Sequence, residues 1–277
     1  QSSCQKLGAN LWITTGTMVD VVSTIHNDFK DCRVVFPTVL GHYERIEEDN
    51  VKAFCKQQDI ACASCWDWTL LDDVDISRVS LGFSSFRKKV EKHMAIAQVA
   101  PTPNHLPAVE HSYKNTKLIT SANTSLILNG GEKAAHQHMA QYIWESKALN
   151  HYKQTRNKLI GKHVSSKFSL YLSHGCLSAR QIYHEVKAFE KKYAKNVSTY
   201  WLIFELLWRD FFQFQYLKHA EQWFEFGGIQ NKHWEPPQQD DNKCRAWANG
   251  ETDNEFINAT MIELILTELV LAASRIV

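Results

Sequence analysis

The chain has 277 residues with 31 Lys and Arg against 30 Asp and Glu, and this near-neutral balance excludes a strong global field for nucleic acid or membrane. At 44% hydrophobic and 12% aromatic it can bury one large core or two modest ones, which excludes a disordered chain. No run of 18 apolar residues and no signal-peptide pattern is present, so no membrane span or secretory leader is expected.

The first residue is Gln1 rather than Met, and the expectation is a chain that starts partway into a longer protein. Leu11 to Gly16 reads as a short buried strand, Val19 to Phe29 as a helix and Cys32 to Phe36 as a second strand. Glu44 to Gln58 reads as a helix and Ile60 to Trp66 as a third strand. Strands alternating with helices, with near-continuous apolar strands, predict a parallel α/β sheet. Seven cysteines form no disulfide framework, so reduced thiols in a cytosolic protein are the simplest account. Cys62-Ala63-Ser64-Cys65 has no second pair to complete a zinc site and is assigned to packing near Trp66 and Trp68.

From Ala95 to Leu128 the chain carries Pro101, Pro103 and Pro107 without a sustained period, as a connector does. Gly130-Gly131 opens a helical half, with Ala135 to Leu149 as a clear helix and no strand pattern to the end. His136-Gln137-His138 is a weak metal cue, since i,i+2 side chains on a helix do not share a face. From Trp144 to His219 there are 13 Lys and Arg against 5 Asp and Glu, a local basic surface suited to single-stranded nucleic acid or to a solvated helix face.

Ser165-Ser166-Lys167-Phe168-Ser169 offers hydroxyls, free N–H groups and a cation at an expected helix start. That combination suits a pyrophosphate, while the plainer account is N-capping by Ser165 or Ser166. Ser178-x-x-Gln181 has capping-box spacing, and Gly175 is placed to end the preceding short helix. Ser198 to Phe212 is too apolar for a surface helix, yet it carries Glu205, Trp208, Arg209 and Phe212 on one stripe. The plain reading is a core helix with an i,i+4 Glu205–Arg209 pair, and the sharper one is the wall of an aromatic cavity for a polar planar ligand.

Tyr152-x-x-x-Arg156, Ser165 to Ser169, Gly175-Cys176-Leu177-Ser178-x-Arg180, Ile182 to Val186 and Thr199 to Phe212 occur in order. Together they resemble the flavin-binding half of the photolyase/cryptochrome family, most closely its DASH-type cryptochromes. The resemblance implies an incomplete Rossmann-like α/β antenna domain (1–95), a linker (96–129) and an incomplete all-α FAD-binding domain (130–277). His42 to Arg45 and Glu47-Glu48 fall where the antenna domain's own motif lies. Ser85 to Glu91 looks like the segment near which a folate antenna, 5,10-methenyltetrahydrofolate, binds, and Glu91 is its candidate contact.

The implied activity is light-driven electron transfer from FAD to a cyclobutane pyrimidine dimer, with single-stranded DNA preferred as partner. Carried over residue by residue, Tyr152, Ser165, Ser166, Lys167 and Ser169 would contact the FAD phosphates and ribityl chain. Glu205 would bond the dimer's base edge, Trp208 would stack on it, and Arg156 and Arg209 would support phosphates or the cavity wall. Trp234 matches a member of the electron-transfer chain. A monomer is implied, cytoplasmic or, in a eukaryote, organellar. Toward the C-terminus the pattern weakens: Asp253 stands for the usual Gly, Thr260 for Asn, and Glu268 to Arg275 departs from the family's sequence. A blue-light sensor without repair and a truncated, inactive fragment are therefore the alternatives.

Overall fold

The structure, a computed structural model, describes residues 2–267 apart from 73, 94, 108–112, 114, 117–128, 159–160, 162, 234 and 236–237. Contacts divide the chain into two units: residues 1–39, 43–66 and 98–121, and residues 40–42, 67–97 and 122–277.

The first unit begins with a short helix, α1 (Ser2–Lys6), followed by α2 (Met18–Asp28). Thr17 caps α2, its hydroxyl accepting from the Asp20 N–H. Strand β1 (Arg33–Pro37), helix α3 (His42–Gln57) and strand β2 (Ala61–Cys65) then form a β-α-β unit. The strands pair in parallel from Arg33 opposite Ala61 to Pro37 opposite Cys65. Val22, Val51, Cys55 and Ile60 form the core, with Cys62, Val34 and Phe36 packed on it. Cys62 thus serves packing, on this core, while Cys65 lies exposed three register positions on. Burial, and after it the neighbouring Cys62 and Cys32, pushes the Cys55 thiol up to about 11, so it is a core residue and not a nucleophile.

The expected strand at Leu11 to Gly16 does not form. Its backbone groups go elsewhere: the Ile13 N–H donates to Asn115 Oδ1 at 2.7 Å and the Ile13 carbonyl accepts from Thr116 N–H at 2.8 Å. Trp12 stacks on Tyr113 with centroids 4.1 Å apart. The apolar run is held by a side-chain stack and these backbone bonds, and among the described residues it has no ladder partner.

The second unit is helical: α4 (Phe83–His93), α5 (Glu132–Ala140), α6 (Tyr152–Thr155), α7 (Phe168–Ser173), α8 (Ala179–Tyr193), α9 (Val197–His219), α10 (Asp241–Asn249) and α11 (Glu255–Thr267). The single helix expected over Ala135 to Leu149 is broken into α5, a π-helical turn (Gln141–Glu145) and a 3-10 turn (Ala148–His151). The break falls at Lys147, whose φ of 53° is left-handed, and the π turn rotates Trp144 so that its indole N–H reaches Glu185 at 2.7 Å.

Local signals elsewhere act as read. Ser178 and Gln181 form a complete capping box on α8. Gly175, at φ 64°, follows the last turn of α7, and the adjacent Cys176 N–H bonds back to the Tyr171 carbonyl at 2.8 Å. Helix α9 is the axis of this unit, 23 residues and so about 34 Å long. A capping box of Asn196 and Thr199 starts it, and Leu202, Leu206, Leu207 and Phe214 are buried along it.

Candidate functional site

The stripe on α9 forms, but the charges on it pair otherwise than by helical spacing. Glu205 does not meet Arg209. Its Oε1 accepts from Arg156 Nε at 3.0 Å and from the indole N–H of Trp201, one turn earlier, also at 3.0 Å. Arg209 is buried and turned away, donating to the Trp68 carbonyl and to Gln213 Oε1 at 3.2 Å. Burial lowers its pKa against the pull of Asp210. A pair between neighbours on a helix gains only about 0.2–0.5 kcal/mol, so tertiary partners decide where these side chains go.

Helix α6 carries Arg156 to this place. The Lys153 N–H donates to Ser198 Oγ at 3.2 Å and Ser198 Oγ bonds Gln154 Oε1 at 3.0 Å, pinning α6 on the first turn of α9. Arg156 Nη1 is anchored on the Lys153 carbonyl at 2.7 Å. The Lys153 ammonium lies 4.3 Å and the Arg156 guanidinium 5.0 Å from the centre of the Trp201 ring. Glu205 is 16% exposed, and its Oε2 has no partner among the described residues and is not enclosed.

Tyr152, buried on α6, lies close to Ser166 and so borders both this cluster and the serine segment. Burial raises its pKa well above the usual range, helped by the Glu205 charge and opposed by Arg156 and Ser166. The residue that caps α7 is Lys167 in a left-handed conformation, with no side-chain cap bond. Capping by Ser165 or Ser166 is therefore not what those serines do: the Ser166 carbonyl meets His138 Nε2 at 2.7 Å, and Ser165 and Ser169 make no side-chain hydrogen bond among the described residues. Lys167 has no carboxylate within ion-pair distance among the described residues, and burial lowers its pKa. His163 Nδ1 is enclosed without a partner. An unneutralised ammonium, two free hydroxyls and an orphaned ring nitrogen within seven residues fit a polyanionic group such as the diphosphate of FAD.

The DNA photolyase family profile matches residues 1–108. The chain is 33% identical to Cryptochrome DASH of Gloeobacter violaceus over 279 residues, covering 96% of this chain and 56% of that protein. Against Cryptochrome DASH of Danio rerio it is 33% identical over 281 residues, 95% of this chain and 54% of that one. It superposes on the cryptochrome of Synechocystis sp. PCC6803 with a TM-score of 0.88 at 32% identity, over 99% of this chain and 59% of that one. The chain belongs to the photolyase/cryptochrome family. It spans little more than half the length of these relatives. A class III photolyase from Agrobacterium tumefaciens shares the fold, with a TM-score of 0.83 at 19% identity over 99% of this chain and 58% of that one.

The remaining expected site residues of this family member are placed differently. Trp208 is part of an aromatic stack: Phe83 of α4 lies parallel to it at 3.6 Å and Phe212 at 5.4 Å. Phe83 thus holds a ring face on which a base was expected to stack. Glu91 is not a free helical acid. It accepts from Tyr200 OH at 2.5 Å and lies 3.7 Å from Arg87, tying α4 to α9. Trp234 lies outside the described residues, as does the segment from Glu268 onward.

Three features have no local sequence signal. Trp201 is one aromatic among many on α9, and only its tertiary contacts set it apart. Asp210, fully buried, accepts from the Leu70 and Leu71 N–H groups at 3.0 and 2.9 Å. Burial pushes its pKa up to about 7, against those two donors, Arg209 and Arg180. The third is in the α/β unit: a cavity of about 270 Å³ lined by Met18, Phe36, Pro37, Val39, Val51 and three glutamates, Glu44, Glu47 and Glu48. Two of these acids serve the backbone, Glu47 accepting from the Met18 N–H at 3.0 Å and Glu48 from the Val39 N–H at 2.9 Å. Among the described residues no metal cluster occurs, and no helix is long and apolar enough to cross a membrane.

Proposed function

We propose that this chain carries the phosphate cradle and the base-reading wall of a DASH-type, FAD-dependent photolyase that acts on cyclobutane pyrimidine dimers in single-stranded DNA. One observation supports it above the others: Glu205 keeps an acceptor oxygen open while its second oxygen is held by Arg156 and Trp201. A carboxylate oxygen left open in this way can accept from the imide N–H of a pyrimidine brought out of the base stack.

When bound, FAD would supply the light-driven electron transfer that splits the dimer. The residues present do the rest. Lys167 would neutralise diphosphate charge, Ser165, Ser166 and Ser169 would donate to its oxygens, and Tyr152 would close the cradle against water. Arg156 holds Glu205 in place, and Lys153 adds a cation for a backbone phosphate. Trp208 would stack on a base only where Phe83 withdraws, so its first role is to stiffen the wall. Arg209 braces that wall from behind. Glu91 remains a candidate contact for a folate antenna only at the expense of its bonds to Tyr200 and Arg87. Seven free thiols fit a reducing compartment, and a monomer suffices for this chemistry.

The test is an absorption spectrum of the purified chain after incubation with FAD, followed by illumination with a dimer-containing oligonucleotide. Flavin retained near one per chain, with light-dependent loss of dimer, is the expected result. A chain that retains no flavin would overturn the proposal, and one that retains flavin but leaves the dimer intact would turn it toward the light-sensor reading.

A further inference from the structure

We propose that Trp201 is the positioning residue that keeps Glu205 selective for pyrimidines bearing an N3–H, an inference that rests on reading this site as a dimer pocket. Trp201 Nε1 and Arg156 Nε both donate to the same oxygen, Oε1, each at 3.0 Å. Guanidinium and carboxylate groups tend to pair through two parallel bonds, which would engage both carboxylate oxygens. Here the indole N–H holds Oε1, and Arg156 is restrained by its own bond to the Lys153 carbonyl at 2.7 Å. The carboxylate is thereby kept from turning into the guanidinium fork, and Oε2 stays open.

The indole is itself fixed. Lys153 lies 4.3 Å and Arg156 5.0 Å from its ring centre, and Phe204 packs 4.7 Å from it. Without the indole N–H, Glu205 would swing to take Arg156 with both oxygens. The acceptor would close while the ion pair survived. Selectivity would fall, and the fold would not.

The prediction is read as binding in the dark, by fluorescence anisotropy with the full chain supplied with FAD. The probes are three labelled single-stranded oligothymidylates: undamaged, carrying one cyclobutane thymine dimer, and carrying the same dimer methylated at N3. The wild-type chain is expected to bind the unmethylated dimer at least about tenfold more tightly than the methylated one, the scale of a hydrogen bond to a charged group. Trp201→Phe is expected to bring that ratio to within about twofold, while affinity for undamaged DNA is unchanged. A benzothienyl analogue at position 201, which has sulfur in place of the N–H and the same ring shape, should do the same if the Phe variant folds poorly. A simple loss of stability would weaken all three probes together and leave the ratio intact, and that result would overturn the role of Trp201. Wild-type protein that prefers dimers to undamaged DNA but ignores N3 methylation would overturn it too, leaving the dimer reading in place. Failure to prefer dimers at all would remove both.

Discussion

The two units use their buried and half-buried acids in opposite ways. In the α/β unit Glu48 is committed to folding: it holds the Val39 N–H and Lys52, and although burial pushes its pKa up, those partners bring it below the usual glutamate value. In the helical unit the acids divide their work. Asp210, on the buried side of α9, binds the Leu70 and Leu71 N–H groups, while Glu205 on the stripe leaves an oxygen uncommitted. A polar group whose valences are filled by its own chain describes the fold, and one left unfilled in a partly closed place describes a ligand.

Removing the aromatic brace of the helical unit should have the largest effect. Phe83 is 7% exposed and touches Trp208, Phe204 and Phe211, so Phe83→Ala should cost about 3–5 kcal/mol in denaturant unfolding. Asp210→Ala comes next, at about 2–4 kcal/mol, since it strands two backbone donors.

Titration sharpens the contrast, because the two acids have opposite signs. Asp210 has a folded pKa near 7, above its ordinary 3.8, so the folded state holds the proton more tightly. The stability of wild type relative to Asp210→Asn should therefore fall as pH rises from about 4 to about 7 and be level above that. Glu48 has a folded pKa below its ordinary value. Its contribution should be present at neutral pH and decline as pH falls below the ordinary glutamate range, a decline absent from Glu48→Gln. That variant should cost only about 1 kcal/mol at neutral pH. Parallel slopes for the two acids would break the comparison.

Lys167→Ala should have the smallest effect on stability, within about 0.5 kcal/mol, because no acid among the described residues pairs with the ammonium and its burial is unfavourable. Its effect should fall on binding instead. Retention of FAD, followed by flavin fluorescence, should weaken about tenfold, the scale of one charge-assisted contact. A large loss of stability would mean that Lys167 belongs to the fold after all.

Much of this was legible in the sequence, and the reason is locality. The capping box at Ser178, the turn at Gly175, the β-α-β order from Arg33 to Cys65 and the stripe on α9 each depend on residues a few positions apart. The ordered motifs from Tyr152 to Phe212 carried the family in the same way. What local pattern could not supply is which partner wins when several compete. Leu11 to Gly16 has the composition of a strand, but its backbone bonds go to residues 115 and 116. Helical spacing offered Glu205 the nearby Arg209. Tertiary packing gave Arg209 to a carbonyl 141 residues away and brought Arg156, 49 residues away, to Glu205. Sequence alone determined the capping box at Ser178, the turn at Gly175, the β-α-β order and the family, because those follow from short-range sterics and periodicity. Only the tertiary structure decided which acid keeps an open oxygen, because long-range packing assigns each buried donor to one acceptor and leaves the remainder free.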